Sequence, residues 1–336
     1  METIRDSFTL RSVDLRNTLG ISPSTFMELT RKFGISPEPD VAGRGIVKPI
    51  SPTDVRRVFE ARGFKYPTPA CVISFMICKG GVGKTTSTYF TALRLSSYGA
   101  KVLVIDVDPQ GNLTSAFNLE QYGVEMDEET PVLLDVLTGD TSVEEAIIAV
   151  TPNLHLIPST PLNAMLDGKI RDNFKNPSLP VKKAIAPLLE RYDYILFDCA
   201  PALNLTNTAV VCASNRVILP VSPDKFSQLG LEQTLNELST IEADFGIQMD
   251  KKIIFTKYDG REFTSLKYLT DIADKYNDLR FNTAIRTSAD VKNAITKKED
   301  LFSYKKSNAK EDYDAFVQEL MGLDKIFKKP AKTAEV

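Results

Sequence analysis

Eight consecutive residues, Lys79-Gly80-Gly81-Val82-Gly83-Lys84-Thr85-Thr86, carry the chemistry most plainly readable in this 336-residue chain. Glycines at this spacing let backbone N–H groups curl around an anion, and a helix starting at their end adds its partial positive charge. Lys84 is placed to reach the outer phosphates of a nucleotide, and the Thr85 hydroxyl to hold a Mg²⁺ ion beside them. Lys79, at the entrance, is one lysine more than such a loop needs. Three acids complete the set. Asp106 and Asp108 end the run Val102-Leu103-Val104-Ile105-Asp106-Val107-Asp108 and, two residues apart on a strand, point to the same side. Asp106 suits a place near the cation, and Asp108 suits holding a water against the terminal phosphate. Asp198 ends Tyr192-Asp193-Tyr194-Ile195-Leu196-Phe197-Asp198 and is placed to reach the cation through a water.

The elements that must position these residues are legible around them. Val72-Ile73-Ser74-Phe75-Met76-Ile77-Cys78 reads as a buried strand, and the stretch from Thr85 has the apolar spacing of a helix. A glycine-rich turn between strand and helix is the setting in which a phosphate loop is credible. Further apolar strands are expected at 153–158, 216–221 and 252–256, with helices at VKKAIAPLLERY and about 230–245. Strands alternating with helices predict an α/β fold, a doubly wound and mostly parallel sheet with helices on both faces. Ligands of such sheets lie at the carboxyl ends of the strands, where all three acids fall.

Residues 1–68 read differently from 69–330, and 331–336 read as a flexible tail. TLRSVDLRNTLG and ISPSTFMELTRKFG form two short helices around Gly20, with Ser22 or Ser24 as N-cap. A glycine-rich stretch, VAGRGIVKPI, suggests a wing, and SPTDVRRVFEARG a third helix. That is the pattern of a small winged helix-turn-helix domain. Its second helix offers Ser24, Thr25, Glu28, Arg31 and Lys32 to a DNA groove, while Arg44, Lys48, Arg56 and Arg57 suit phosphates. KYPTPA (65–70) reads as the linker.

Composition narrows the classes. A net charge of −3, with 43% hydrophobic and 25% charged residues, describes a soluble globular protein. No apolar stretch nears the roughly 20 residues that span a bilayer, and METIRDSFTL lacks a leader pattern, so a cytoplasmic chain is expected. The four cysteines have no metal-ligand spacing and read as reduced thiols; the single histidine, His155, reads as structural. Basic charge is local: residues 251–310 hold fourteen Lys/Arg against eight Asp/Glu, crowded at Arg286, Lys292, Lys297, Lys298, Lys305, Lys306 and Lys310. Such a face suits the phosphate backbone of DNA. DYDAFVQELMGLDKIFKK reads as a packing helix, with a membrane-surface helix as the alternative.

Taken together, KGGVGKTT (79–86), VLVIDVDPQGN (102–112) and YDYILFDCAP (192–201) closely resemble the ParA family of partition ATPases, within the group that has a deviant Walker A loop. A DNA-binding domain ahead of the ATPase resembles the larger plasmid partition proteins. The resemblance implies ATP and Mg²⁺ as ligands, with residues 79–86 binding the nucleotide, Thr86 near its α-phosphate, and Thr85, Asp106 and Asp198 serving the cation. It also implies catalysis by Lys79, Lys84 and Asp108, with Lys79 reaching the nucleotide of a partner in an ATP-bound homodimer. DNA binding without sequence preference through the C-terminal basic surface, a ParB-type partner that stimulates hydrolysis, nucleoid association and autorepression through the N-terminal helices follow from the same likeness. Two departures stand out: Asp198-Cys199-Ala200-Pro201 where relatives often have Asp-x-Pro-Pro, and Asp290, with Lys292 near it, where many relatives have an arginine. A membrane-positioned ATPase of the MinD type and a metabolic enzyme on the same scaffold are the alternatives.

Overall fold

The computed structural model describes residues 8–35 and 49–327. Helices Ser12–Leu19 and Pro23–Phe33 open it, each ended by a glycine in the left-handed region, Gly20 and Gly34. Ser22 caps the second, its Oγ accepting from the Thr25 N–H at 3.2 Å, with Pro23 at the first helical position. Leu10–Arg11 (β1) pairs antiparallel with Pro49–Ile50 (β2), and Ser51 then caps helix Pro52–Ala61. The three helices stand where the sequence predicts them. The expected wing, with Arg44 and Lys48, lies outside the described residues, as does the tail 331–336.

The N-terminal helices pack into the body of the protein. Leu15, Leu19, Ile50, Val55 and Phe59 belong to one apolar cluster with Leu93, Tyr98, Phe316 and Phe327. The stretch that reads as a linker is part of this junction: Tyr66 is buried, donates to the Tyr98 carbonyl at 2.5 Å, and lies under the Arg56 guanidinium at 3.9 Å. Arg56 grips the Asp193 carboxylate with two bonds, 2.6 and 3.2 Å, and also donates to the Gly99 carbonyl. Gly99 has φ +83°, and a Cβ there would lie 2.6 Å from the Pro52 carbonyl oxygen, so only glycine lets the third helix seat. Deeper in, the fully buried Arg94 donates from Nε to Asp314 at 2.6 Å, its guanidinium 4.5 Å from the Tyr98 ring and 4.8 Å from that of Phe302. The boundary expected at 68 therefore falls inside a continuous core.

That core rests on an eight-stranded sheet. Its strands are Cys71–Phe75 (β3), Val102–Asp106 (β4), Ile148–Thr151 (β5), Leu154–Ile157 (β6), Tyr194–Asp198 (β7), Arg216–Val221 (β8), Asp250–Tyr258 (β9) and Arg280–Arg286 (β10). Their order is β10-β9-β8-β3-β7-β4-β6-β5, parallel throughout except for the edge pair β5–β6. Strands β3, β4 and β7 are central and almost wholly buried, which is why they read as unbroken apolar runs. Apolar clusters on both faces confirm the doubly wound arrangement. β10 is an edge strand that composition hides: in RFNTAIR only Phe281 and Ile285 are buried.

The C-terminal helices Asn308–Met321 and Leu323–Phe327 are packing elements, with Phe316, Val317 and Leu323 fully buried. No helix among the described residues is long and apolar enough to cross a membrane. His155 is structural as expected, its Nδ1 2.6 Å from the Tyr192 hydroxyl, and all four cysteines are free.

Candidate active site

The carboxyl ends of β3, β4 and β7 converge on one place. The register sets Phe75 opposite Asp198 and Asp106 opposite Asp198, so the loop leaving β3 hangs above both acids. Gly81 (φ +75°) and Gly83 (φ +91°) give that loop its curl, and Gly83 is the N-cap of helix Lys84–Ser97. The cradle borders a cavity of about 490 Å³ lined by Gly81, Gly83, Lys84, Thr85, Thr86 and Asp108. Its floor is tied to β9: the Thr256 hydroxyl donates to the Val82 carbonyl at 2.6 Å, and Lys257 Nζ to the Gly81 carbonyl.

Lys84 is 7% exposed and its Nζ donates to the Lys79 carbonyl at 2.9 Å. Burial lowers its pKa, opposed by the nearby Asp198. A desolvated ammonium held by one carbonyl is a strong partner for an arriving phosphate. Asp198 is fully buried; Thr88 donates to its Oδ1 at 3.2 Å, while its Oδ2 has no hydrogen-bond partner. A buried carboxylate oxygen without a donor is costly, and burial accordingly pushes the Asp198 pKa up. A cation beside it, directly or through a water, would satisfy that oxygen. Among the described residues no group of three or more His, Cys, Asp or Glu could hold a metal by itself. Mg²⁺ suits such a place, because it commonly takes only one or two protein ligands together with phosphate oxygens.

Asp106 and Asp108 do not share the strand as the sequence suggests. β4 ends at Asp106, and the chain has turned by Asp108. Asp106 accepts from the Thr114 N–H at 2.9 Å, the Thr114 hydroxyl at 2.8 Å and the Asp108 N–H at 3.2 Å. Three of its acceptor sites thus take the chain's own donors and anchor helix Asn112–Phe117 and the turn that carries Asp108, with Oδ1 holding only the long bond. Asp108, 8% exposed, borders the same cavity as Lys84.

Lys79 points out of the cradle. Its Nζ lies 2.6 Å from Asp224 Oδ1 and 2.9 Å from the Ser227 hydroxyl. Asp224 is the N-cap of helix Lys225–Phe245, and its pKa is held well below the carboxylate range by Lys79, Ser222 and Ser227 against the opposing effect of burial. Gly230 on this helix allows the close approach, since a Cβ there would lie 3.2 Å from Lys79 Cβ. The same helix exposes Phe226 (73%) and Leu229. A second cavity, about 460 Å³, adjoins the loop between β9 and helix Ala289–Lys297. Ile285, Val291, Ile295 and Tyr313 make it largely apolar, a chemistry that suits a nucleotide base.

An AAA-domain family model matches residues 70–253, more than half of the chain. The sporulation initiation inhibitor protein Soj of Bacillus subtilis is 30% identical over 64% of this chain and 83% of its own length. The chain belongs to the ParA/MinD-like P-loop ATPases with a deviant Walker A loop. It is an ATP-hydrolysing enzyme, and its family implies ATP and Mg²⁺. Among solved structures, a plasmid partition protein of Borrelia burgdorferi aligns with TM-score 0.61 at 25% identity, covering 75% of this chain and 98% of that one. The ATP complex of a Cyanothece McdA variant aligns with TM-score 0.69 at 23% identity over 79% of this chain and all of that one, a likeness of fold.

The residues expected to touch DNA are scattered. Arg31 and Lys32 are solvent-accessible on the second helix, while Ser24 and Thr25 hydroxyls lie 2.9 Å from the capping Ser22 hydroxyl. Lys292, Lys297, Lys305 and Lys306 are exposed, and Lys298 is exposed but donates to Asn118. Arg286 is tied to Asp312 by Nη2 at 2.6 Å, Lys310 is buried 3.4 Å from Asp14, and Arg56 belongs to the junction. Asp224, Thr256, Lys257 and Thr114 escape a reading of the sequence. Only Asp224 carries a signal, in Ser-Pro-Asp-Lys ahead of a helical pattern.

Proposed function

We propose that this ATPase is a DNA partition protein whose ATP-bound dimer binds DNA without sequence preference and is stimulated by a ParB-type partner. The observation that carries the reading is Lys79. It is covalently part of the phosphate loop, yet it reaches outward to Asp224 on an edge that also displays Phe226 and Leu229. A cation there is available to a second copy meeting that edge, where it adds charge to the transition state of phosphoryl transfer. Within one chain, Lys84 neutralises the outer phosphates and Asp108 orients the attacking water. Thr85 and Asp198 would hold Mg²⁺, which would supply further neutralisation of the developing charge when bound.

The exposed lysines at 292, 297, 305 and 306 support backbone contact with DNA, and Arg31 and Lys32 support operator binding by the N-terminal helices, with autorepression as its result. Nucleoid association in a cytoplasmic protein follows from the first of these. Among the described residues the MinD-type alternative draws no support from the C-terminal helices, where Phe316, Leu320, Leu323 and Phe327 are packed inside and Ile326 alone of their large apolar side chains is exposed. A metabolic enzyme remains the second reading, because a cobyrinic acid a,c-diamide synthase of Mycobacterium smegmatis has this fold at 25% identity and TM-score 0.60.

Titrating random-sequence and operator DNA against the protein with no nucleotide, ADP or ATP tests the reading. Salt-sensitive binding to random DNA is expected with ATP alone, and Lys84→Gln is expected to abolish it. Equal binding by Lys84→Gln and the native chain in ATP would sink the switch.

A further inference from the structure

The phosphate loop has a third lysine beside it that neither the motif nor the family match assigns a role. Lys257 comes from β9, 176 residues from the loop carbonyl it holds. Its backbone sits in the left-handed region at φ +54°, one of three non-glycine residues so placed among those described. Such a conformation is unfavourable for a lysine and persists where surrounding contacts impose it, a pattern that clusters at ligand clamps. Here the imposing contacts are Thr256 on Val82 and Lys257 on Gly81, two successive bonds from one strand end to one loop.

The charge of this lysine is uncommitted. Lys79 is paired with Asp224, and Lys84 lies under the influence of Asp198. Among the described residues Lys257 has no carboxylate partner; its ammonium is held by a single neutral carbonyl, and the residue is exposed. It also borders both cavities, the one under the loop, where Lys84, Thr85 and Asp108 lie, and the apolar one beside helix Ala289–Lys297. Gly83, Thr86 and Ile295 also line both, so a nucleotide laid with phosphates in the first and base in the second would run between these residues and Lys257, the one charged group among them.

We propose that Lys257 is a phosphate-contacting residue of this ATPase, exchanging the Gly81 carbonyl for the inner phosphates of the bound nucleotide. An ammonium held by one carbonyl gains a charge-assisted bond by that exchange. The contact engages phosphates that ADP and ATP share, so both nucleotides depend on it. The proposal rests on the ATPase assignment and is independent of DNA partition.

The test is calorimetric binding of Mg·ADP and a non-hydrolysable Mg·ATP analogue across a NaCl series, without DNA. The full-length native chain is compared with Lys257→Met, Lys257→Gln and Lys257→Arg. Met and Gln are each expected to weaken both nucleotides about tenfold and to flatten the salt dependence, since an exposed charge is screened by salt. Arg is expected to restore most of the affinity. Glutamine can still donate to the Gly81 carbonyl, so native affinity and an unchanged salt slope in Lys257→Gln would assign the lysine to propping the loop and overturn the proposal. Native affinity in Lys257→Met, or a loss confined to the triphosphate, overturns it equally.

Discussion

The junction between the N-terminal helices and the sheet, and the carboxyl edge of that sheet, treat charge in opposite ways. At the junction, buried charges face opposite charges of the same chain: Arg94 meets Asp314, Arg56 meets Asp193 and Lys310 meets Asp14. At the carboxyl edge Lys79 has Asp224, but among the described residues Asp198 Oδ2 has no hydrogen-bond donor and Lys257 no carboxylate, and Phe226 is 73% exposed beside Lys79. Matched charge builds structure, whereas charge left unmatched in a concave place is held for something that arrives. The first region therefore belongs to stability and the second to ligands.

The largest effect that could break this contrast is at the junction. Asp314→Ala leaves the Arg94 guanidinium fully buried without its counter-charge, which is expected to cost about 3–5 kcal/mol in urea unfolding. A loss below about 1 kcal/mol would place the pair with ordinary surface ion pairs. At the edge, Asp198→Asn should reduce Mg²⁺-dependent hydrolysis about 10²-fold or more. Its effect on the nucleotide-free fold should have the opposite sign. Burial raises the Asp198 pKa above its unfolded value, so the native state loses stability as pH rises from the unfolded pKa through the folded one. Thermal melts without nucleotide should then find Asp198→Asn as stable as the native chain or more so at pH 8. A marked destabilisation there would move Asp198 to the structural side.

His155 should give the smallest effect. Burial first, and then Arg191, lower its pKa, so the unfolded chain takes up a proton before the folded one. Stability is fully present above the ordinary histidine pKa near 6.5 and falls as pH drops through it. Replacing His155 with asparagine should flatten the pH dependence of unfolding between about pH 7 and 5.5, the range in which the two states differ in bound protons. An unchanged slope would mean that other groups carry it.

Much of the edge is legible in the sequence because its parts are local. The phosphate loop, the acids at 106, 108 and 198 and the central strands each lie within a short run whose pattern needs no distant partner. What stays hidden depends on partners far along the chain. The Asp224 that holds Lys79 is 145 residues away from it. Counting charge misleads for the same reason: Arg56, Arg286 and Lys310 look like candidates for phosphate until Asp193, Asp312 and Asp14 are found against them. Strand β10 is hard to see because an edge strand keeps polar residues that mask its two inward side chains. Strand alternation likewise does not reveal that Thr114 donates twice to Asp106 Oδ2.

In the proposed switch Lys79 leaves Asp224 for the nucleotide of a second chain. Sedimentation velocity of the native protein and Lys79→Ala, each with ADP or with a non-hydrolysable ATP analogue, tests this most directly. ATP is expected to shift the native chain towards the mass of a dimer and ADP to leave it unshifted, while Lys79→Ala binds ATP within a few-fold of native affinity and does not shift. A Lys79→Ala protein that dimerises in ATP as the native chain does would contradict the account and reduce residues 79–86 to an ordinary phosphate cradle.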